Sequence, residues 1–379
     1  MNITFLTSGH IPKDDRIFYH QAQTLATAGF KVDIISSRTE LTGIEDGVIF
    51  NSFKGDKLTK KEKINRFKKL LAGSKPDIII CQEPITILAA GIYRKQTDKK
   101  PKIIYDITEW YPAKKVLVNY NFILRLFHFP KFLIFNFLMA AQADAFIFGE
   151  WYKGKPYRFL FHRKDFIYSY YYPDLKYIKY KEPGQKKGYL RLSYSGKLSF
   201  EKGFGNFLET IKEISVKKPS LKINIKIIGW YSDMKEQIKF KKMIDTLSSN
   251  VSFQFYPLQD FQKFIEIISD TDIFLDLRSD DFENRHCLPI KLFYYAALKR
   301  PVIYTELKAI RKEVEIEKFG YLTKPYNTQH IAGLIVNYID NQKLYNQHSK
   351  NARDLAESRY NWDAIKYEFI EFLKHLTEK

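Results

Sequence analysis

Residues 190–203 read LRLSYSGKLSFEKG, and the order in which their chemistry changes decides the kind of fold. Residues 190–194 form a short apolar run of strand character, which ends at Gly196. A loop then carries Lys197 and Lys202, and a helix-forming segment begins after Gly203. A buried strand that passes through a glycine-bounded loop straight into a helix is half of a βαβ unit. Two amines five residues apart at such a junction suit a diphosphate, because ammonium groups, loop amides and the helix dipole all favour negative charge there. Taken alone, the same spacing also describes two solvated surface lysines.

The alternation continues on both sides. Downstream, residues 222–228 (KINIKII), 251–255, 272–275 and 301–304 read as strands, with helical segments between them from about 204 and about 289. Upstream, strands are expected at 2–6 (NITFL), 31–35 (KVDII), 77–81 (DIIIC), 102–105 (KIIY) and 145–148 (AFIF). Residues 15–28 read as a helix with Ile17, Phe18, Ala22 and Leu25 on one face and Gly29 as its C-cap. Helical pattern closes the chain at 328–339 and 362–376. Between 168 and 187 the pattern dissolves into YSYYYPDLKYIKYKEPGQKK, the composition of a linker. The expected fold class is therefore α/β: two Rossmann-like, doubly wound parallel-sheet domains, residues 1–175 and 188–360. Ligands of such sheets bind at the carboxyl ends of the strands, here facing an interdomain cleft.

Composition narrows the function. The 379 residues include 62 Lys plus Arg against 43 Asp plus Glu, a net charge of +19, so an acidic partner is expected. Of this excess, +12 falls in the first 180 residues. The basic residues are dispersed over both halves with no helix-turn-helix, RRM or zinc signature, which argues against nucleic acid. Cys81 and Cys287 stand alone, which fits a reducing, cytoplasmic compartment and supports neither a disulfide framework nor a zinc site. The start, MNITFLTSGHIPKDD, lacks the pattern of a secretion signal. The most apolar region, 122–141, is interrupted by Arg125, His128, Pro130 and Lys131, short of the ~20 apolar residues of a span, so no membrane-crossing helix is expected. Asp270, Asp272, Asp276, Asp280 and Asp281 lie in and around a strand whose side chains alternate faces, so no metal site is expected.

A second stretch, residues 280–303 (DDFENRHCLPIKLFYYAALKRPVI), changes the weight of the first. Together the two resemble glycosyltransferase family 4, retaining enzymes of GT-B architecture that use a nucleotide-activated sugar. Gly196, Lys197, Leu198, Lys202 and Gly203 match the family's GRLxxxKG element; Leu288, Pro289, Lys291, Leu292, Phe293, Tyr295, Ala296, Pro301, Val302 and Ile303 match a later helix start and strand. In the first half, His10, Asp14, Asp15, Arg16, Ile17 and Phe18 look like an H..DDRIF element. Pro76 and Asp77 resemble the family's PDI strand, and Tyr105, Asp106, Glu109 and Tyr111 its YDxHExYP turn.

The resemblance implies a donor-binding C-terminal domain and an acceptor-binding N-terminal domain, rejoined by residues 361–379. Lys197 and Lys202 would stabilise the departing diphosphate. Gly196, Gly229, Tyr256, Glu283, His286, Leu288, Pro289, Ile290, Lys291 and Tyr294 would bind the donor, and His10, Asp15, Arg16, Asp106, Thr108 and Glu109 would lie on the acceptor side. The implied activity is transfer of a sugar from a nucleotide-sugar to a hydroxyl of a glycan or lipid-linked acceptor in surface polysaccharide biosynthesis, with retention of configuration and no essential metal or other cofactor.

Several positions depart from the family pattern. Lys197 replaces an arginine fork, Tyr294 the second glutamate of E-x7-E, His286 the first, with Glu283 nearby, and Thr108 a histidine. These departures keep open a catalytically impaired scaffold subunit, and the shared fold keeps open a sugar-nucleotide epimerase. The local readings also stay open: a helix cap with an ion pair at Asp14, Asp15 and Arg16, turn residues at Asp106 and Glu109, and a surface histidine at His10. Residues 59–70 (TKKEKINRFKKL) set Lys60, Lys61, Lys63, Arg66, Lys68 and Lys69 around a small apolar stripe. That pattern suits either contact with an anionic membrane or an ordinary surface helix.

Overall fold

The structure, a computed structural model, describes residues 1–112, 117, 120–182 and 188–378. The chain divides into two compact units, Met1–Tyr171 with Ile365–Lys379, and Tyr172–Ala364.

The first unit is built on eight strands: β1 (Asn2–Thr7), β2 (Lys31–Ser36), β3 (Leu41–Glu45), β4 (Val48–Ser52), β5 (Ile78–Cys81), β6 (Lys102–Ile107), β7 (Ala145–Phe148) and β8 (Asp165–Tyr168). Their order is β3-β4-β2-β1-β5-β6-β7-β8, parallel except for the β3–β4 hairpin. The central strands are buried along nearly their whole length, as an inner parallel sheet requires: Ile78, Ile79, Ile80 and Cys81 are fully buried. Leu6, Ile79, Ile103 and Phe146 share one core with Phe67 and Leu71 of helix Lys60–Ser74, and with Ile87 and Ala90 of helix Pro84–Gln96. The closing helix Lys366–Glu378 returns to this unit and buries Phe369, Leu373 and Leu376.

The second unit carries β9 (Tyr189–Leu198), β10 (Lys222–Tyr231), β11 (Val251–Tyr256), β12 (Ile273–Asp276), β13 (Val302–Thr305) and β14 (Gly320–Thr323), all parallel, in the order β11-β10-β9-β12-β13-β14. Its core joins Leu190, Leu192, Ile223 and Ile225 to Phe207 and Ile211 of helix Phe204–Lys217 and to Ile331 and Ile335 of helix Thr328–Asp340. Both units are thus Rossmann-like, and each sheet reverses its winding direction once, at β1/β5 and at β9/β12.

Three features differ from the sequence expectations. Strand β9 does not end at Gly196 but runs to Leu198, because β10 extends beside it and pairs Gly229 with Gly196 and Trp230 with Lys197. Lys197 therefore stands on a strand end rather than in a loop. The hairpin of β3 and β4 was not expected; it turns at Asp46 and Gly47, both with positive φ (49° and 77°), the two-residue geometry that an Asp-Gly pair favours. The apolar region is one continuous helix, Phe122–Gln142, with Pro130 inside it. By length and composition it could cross a membrane, and only 11% of its most apolar stretch is buried. The interruptions that argued against such a helix do not break it: Asn121 caps its start by accepting from the Leu124 amide at 2.9 Å, and helical structure passes through Pro130.

Candidate functional site

In an open α/β sheet the ligand crevice lies beyond the strand carboxyl ends where the strand order reverses. In the second unit that place is occupied by the loop after β9 and the loop after β12. Gly196 has φ 122°, and a Cβ on its partner Gly229 would lie 2.0 Å from the Gly196 carbonyl oxygen, so both glycines are required by the close approach of the two strand ends. Gly203 has φ 84°, and a Cβ there would lie 2.2 Å from the Leu277 backbone. The loops are consequently pressed together. The Ser279 amide donates to the Glu201 carbonyl at 2.9 Å and the Asn206 side chain to the Leu277 carbonyl at 3.1 Å.

Two lysines reach this junction. Lys202 Nζ donates to Asn284 Oδ1 at 2.9 Å and lies 3.5 Å from Glu201. Asn284 is itself oriented from the other side, its amide nitrogen donating to the Ser279 carbonyl at 3.0 Å. The Tyr194 hydroxyl lies 3.1 and 2.9 Å from the carbonyl oxygens of Lys197 and Lys202, tying the end of β9 to the turn that follows it. Lys291 donates to the Ser195 carbonyl at 2.7 Å from the first turn of helix Ile290–Ala297, whose N-cap is Pro289. Beneath the junction, Arg278 forms a two-point pair with Asp276, and Tyr304 donates to the same carboxylate at 2.6 Å. Burial raises the Asp276 carboxyl, but Arg278, Tyr304 and Lys291 outweigh it and hold it below the usual carboxylate range.

The expected donor residues fall into two groups. Gly196, Lys197, Lys202, Gly229 and Lys291 gather at the β9/β12 reversal, Tyr256 ends the neighbouring β11, and Glu283 and His286 lie on and just after the short helix Phe282–Arg285. His286 Nδ1 is 3.0 Å from the Phe282 carbonyl oxygen. Leu288 and Pro289 are buried and Ile290 is partly exposed, so what they offer a ligand is backbone. Tyr294 is different. It is 1% exposed, with its ring packed against Phe261 at 5.3 Å and Phe264 at 6.5 Å, so its side chain presents no open surface to a donor. Its apolar ring is held on the inner face of the helix, where a glutamate would have been costly to bury.

In the first unit the reversal at β1/β5 is organised by Glu83. Its carboxylate accepts from the Thr7 hydroxyl and the Ser8 and Gly9 amides, each at 2.8 Å, and so fixes the loop that carries His10. His10 Nδ1 pairs with Asp14 at 2.9 Å. Burial alone would lower its pKa, but Asp14, Glu83 and Glu109 outweigh that and lift the imidazole to about 9. Asp14 also caps the following helical turn by accepting from the Arg16 and Ile17 amides, while Asp15 accepts from the Arg16 amide at 3.0 Å.

Arg16 and Asp106, expected on the acceptor side, instead form a buried ion pair. Arg16 donates to both Asp106 oxygens at 2.9 and 3.2 Å and to the Ser169 carbonyl at 2.6 Å, and the Gln21 and Gln82 amides complete the Asp106 shell. At 4% and 0% exposure the pair is a brace beneath the site, not a surface for a sugar. Thr108 contributes its carbonyl, which accepts from Lys153 at 2.6 Å and Tyr171 at 2.7 Å, and Glu109 is exposed beside it. Lys153 was not singled out from sequence, and its ion pair with Glu150 gives no local signal because a three-residue acid-base spacing is common on helices. A cavity of about 280 Å³ opens at the end of β6, between it and helices Phe122–Gln142 and Trp151–Leu160, lined by Ile107, Trp110, Leu133, Phe137 and Tyr157, with Glu109 and Lys153 as its charged members. Among the described residues no three of His, Cys, Asp or Glu converge as metal ligands.

Two Rossmann-like units, each with a polar loop constellation at its reversal point, define a protein of GT-B architecture. Family comparison is specific: residues 178–355 match the model of glycosyl transferases group 1, and residues 10–123 that of glycosyl transferase 4-like proteins. The chain belongs to this glycosyltransferase family. Among solved structures it is similar to the sucrose-phosphate synthase of Thermosynechococcus elongatus (TM-score 0.77, 15% identity, 99% of this chain and 98% of that one). It is also similar to Anabaena HepE in complex with UDP (0.72, 13%, 99% and 100%) and to the lipopolysaccharide outer core galactosyltransferase WaaB (0.59, 15%, 99% and 99%). No curated protein matches the sequence significantly.

Proposed function

We propose that the protein transfers a sugar from a nucleotide-sugar donor, held by the second unit, to a hydroxyl of a glycan or lipid-linked acceptor held by the first. The observation that carries this reading is Lys197 at the end of β9 and Lys202 on the turn braced against it, at the β9/β12 reversal, where amines and loop amides favour a diphosphate. As the bond between the sugar and the diphosphate breaks, negative charge grows on the leaving oxygens, and donors already fixed in place stabilise that charge without reorganising. Lys197 and Lys202 supply charge, the amides from Leu288 to Lys291 add dipoles, and Gly196 and Gly229 permit close backbone approach. In this reading the protein itself meets the diphosphate charge, without an essential metal. Tyr256, Glu283 and His286 border the nucleoside. Tyr294 shapes the floor through packing.

On the acceptor side, His10, Asp15, Thr108 and Glu109 border the hydroxyl to be glycosylated. The apolar cavity next to Glu109 and Lys153 supports an acceptor with a hydrocarbon portion over a free sugar. The lipopolysaccharide galactosyltransferase WaaB supports a glycolipid in surface polysaccharide synthesis, and the HepE complexes with UDP and UDP-glucose support uridine donors as the first to try. Retention of configuration follows from the family resemblance. The reading places the protein in the cytoplasm at the inner membrane face, with Lys60, Lys61, Lys63, Arg66, Lys68 and Lys69 against anionic headgroups.

The test is a thermal-shift screen against UDP-, GDP-, ADP-, CMP- and dTDP-sugars, followed by transfer assays with the donor that binds. Binding to the folded state raises apparent stability, by about 2.7 kcal/mol at a hundredfold excess over Kd. One nucleotide should shift wild type and not Lys202→Ala. Folded protein that responds to none of them would overturn the donor site and leave a scaffold subunit as the reading.

A further inference from the structure

Among the described residues, the first ten of helix Phe122–Gln142 expose more large apolar side chains than any other helix of the first unit. Phe122 is 74% exposed, Phe127 71%, Ile123 66% and Leu126 62%, and Leu124 and Phe129 are exposed as well. At 100° per residue these six positions spread over an arc of about 220°, and Arg125 and His128 occupy the remaining sector. A helix that packs against one protein partner presents an apolar stripe of roughly 100°. An arc twice that width is more than one packed neighbour covers, and a surrounding hydrocarbon medium matches it.

Length and anchoring fix how deep the helix goes. Ten residues rise about 15 Å, the thickness of one leaflet of a hydrocarbon core of about 30 Å. The second half of the helix is tied into the unit. Asn136 accepts from the Tyr105 hydroxyl at 2.9 Å and donates to the Tyr157 hydroxyl at 2.7 Å, and Met139 and Ala140 are buried. It cannot follow the first half into a bilayer without dismantling that core. Arg125 Nε donates to the carbonyls of Leu117 and Tyr120 at 3.1 and 2.7 Å, on the sector of the helix that the apolar side chains leave, and one leaflet's depth from the tip would set Lys131 among the headgroups. Helix Pro84–Gln96 packs against both this helix and the lysine-rich helix Lys60–Ser74, so the apolar tip and the basic helix flank one element of the same unit. That pairing of hydrocarbon with positive charge is complementary to an anionic lipid surface.

We propose that residues 122–131 insert into a single leaflet of an anionic bilayer, making the protein monotopic. This deepens the headgroup contact proposed above and does not depend on glycosyl transfer, so the two can fail separately. The probe is flotation of the full-length protein with vesicles of phosphatidylcholine containing 30% phosphatidylglycerol, compared with the double variant Phe122→Glu/Phe127→Glu. Both substitutions are at exposed positions, and circular dichroism and thermal unfolding verify the fold. Wild type should float at 0.15 M and at 0.5 M salt, and the variant should lose at least tenfold in vesicle partitioning at both. Leu126→Trp should shift its emission to the blue on vesicle addition and be quenched by lipids brominated in the upper acyl chain.

Equal flotation of wild type and the double variant would overturn insertion and leave the lysines as the whole contact. No flotation, with a dimer in sedimentation that the double variant dissociates, would assign the tip to a second copy of the chain and overturn the proposal. No flotation from a monomer would overturn it too.

Discussion

Lys202 Nζ and Asn284 Oδ1 meet at 2.9 Å, joining the loop after β9 to the loop after β12 across 82 residues of sequence. The amide oxygen aims the lysine without neutralising it, which an aspartate at that position would do. Lys202→Ala should lower turnover by roughly 10²- to 10³-fold, the usual cost of one preorganised donor at a developing charge. Asn284→Ala should cost about tenfold and bring no further loss in the Lys202→Ala background. Steady-state rates of the four proteins form the cycle, and strictly multiplicative losses would mean that Asn284 does not act through Lys202.

Two glycines should respond oppositely to alanine. At Gly229 a Cβ would lie 2.0 Å from the Gly196 carbonyl oxygen, which is backbone and cannot move aside as a side chain can, so Gly229→Ala should destabilise by about 2–4 kcal/mol. At Gly333, inside helix Thr328–Asp340, nothing lies within 4 Å of the added carbon, and alanine should stabilise by about 0.5–1 kcal/mol. Urea unfolding of both variants measures the difference, and a Gly229→Ala protein as stable as wild type would rule out the close β9–β10 approach.

How much of this was legible in the sequence depended on how local the cause was. The inner strands were readable because burial on both faces leaves runs such as DIIIC and KINIKII. The β3–β4 hairpin was equally local, and Asp46-Gly47 between branched residues was the overlooked signal. Proline and charge suggested a broken segment at 122–141, yet a helix held in register by Asn121 at one end and a packed core at the other tolerates Pro130. The site divided in the same way. Gly196, Lys202 and Gly203 lie in one motif and could be read from it, whereas the partner of Arg16 is 90 residues away and its burial follows from the sheet order β1-β5-β6. The orientation of Tyr294 depends on Phe261 and Phe264, which no motif links to it.

Because Arg16 and Asp106 are buried together, removing one should leave the other uncompensated. Asp106→Ala should destabilise the first unit by about 3–5 kcal/mol. Asp106→Asn keeps hydrogen-bond acceptance and should cost less. A residue that only bound the acceptor would instead raise its KM and leave the melting temperature unchanged, so the two measurements on Asp106→Ala separate the roles.

His10 makes stability depend on pH in a defined window. Its folded pKa, lifted to about 9 by Asp14 with help from Glu83 and Glu109, lies above the unfolded value of about 6.5. The folded state therefore holds a proton that the unfolded state releases. The stabilisation is complete below about pH 6.5 and is lost as pH rises through about 9. It is on the order of 2 kcal/mol, since a quarter of the side chain remains exposed to solvent. Denaturant midpoints should therefore fall for wild type between pH 7 and 9.5 and fall less steeply for His10→Gln, the two curves converging at the alkaline end. Asp14→Asn should flatten the same window, because it removes the carboxylate that holds the proton while leaving His10 in place. Parallel curves for wild type and both variants would show that His10 is neutral in the folded protein at pH 7 and that the pair with Asp14 carries no charge.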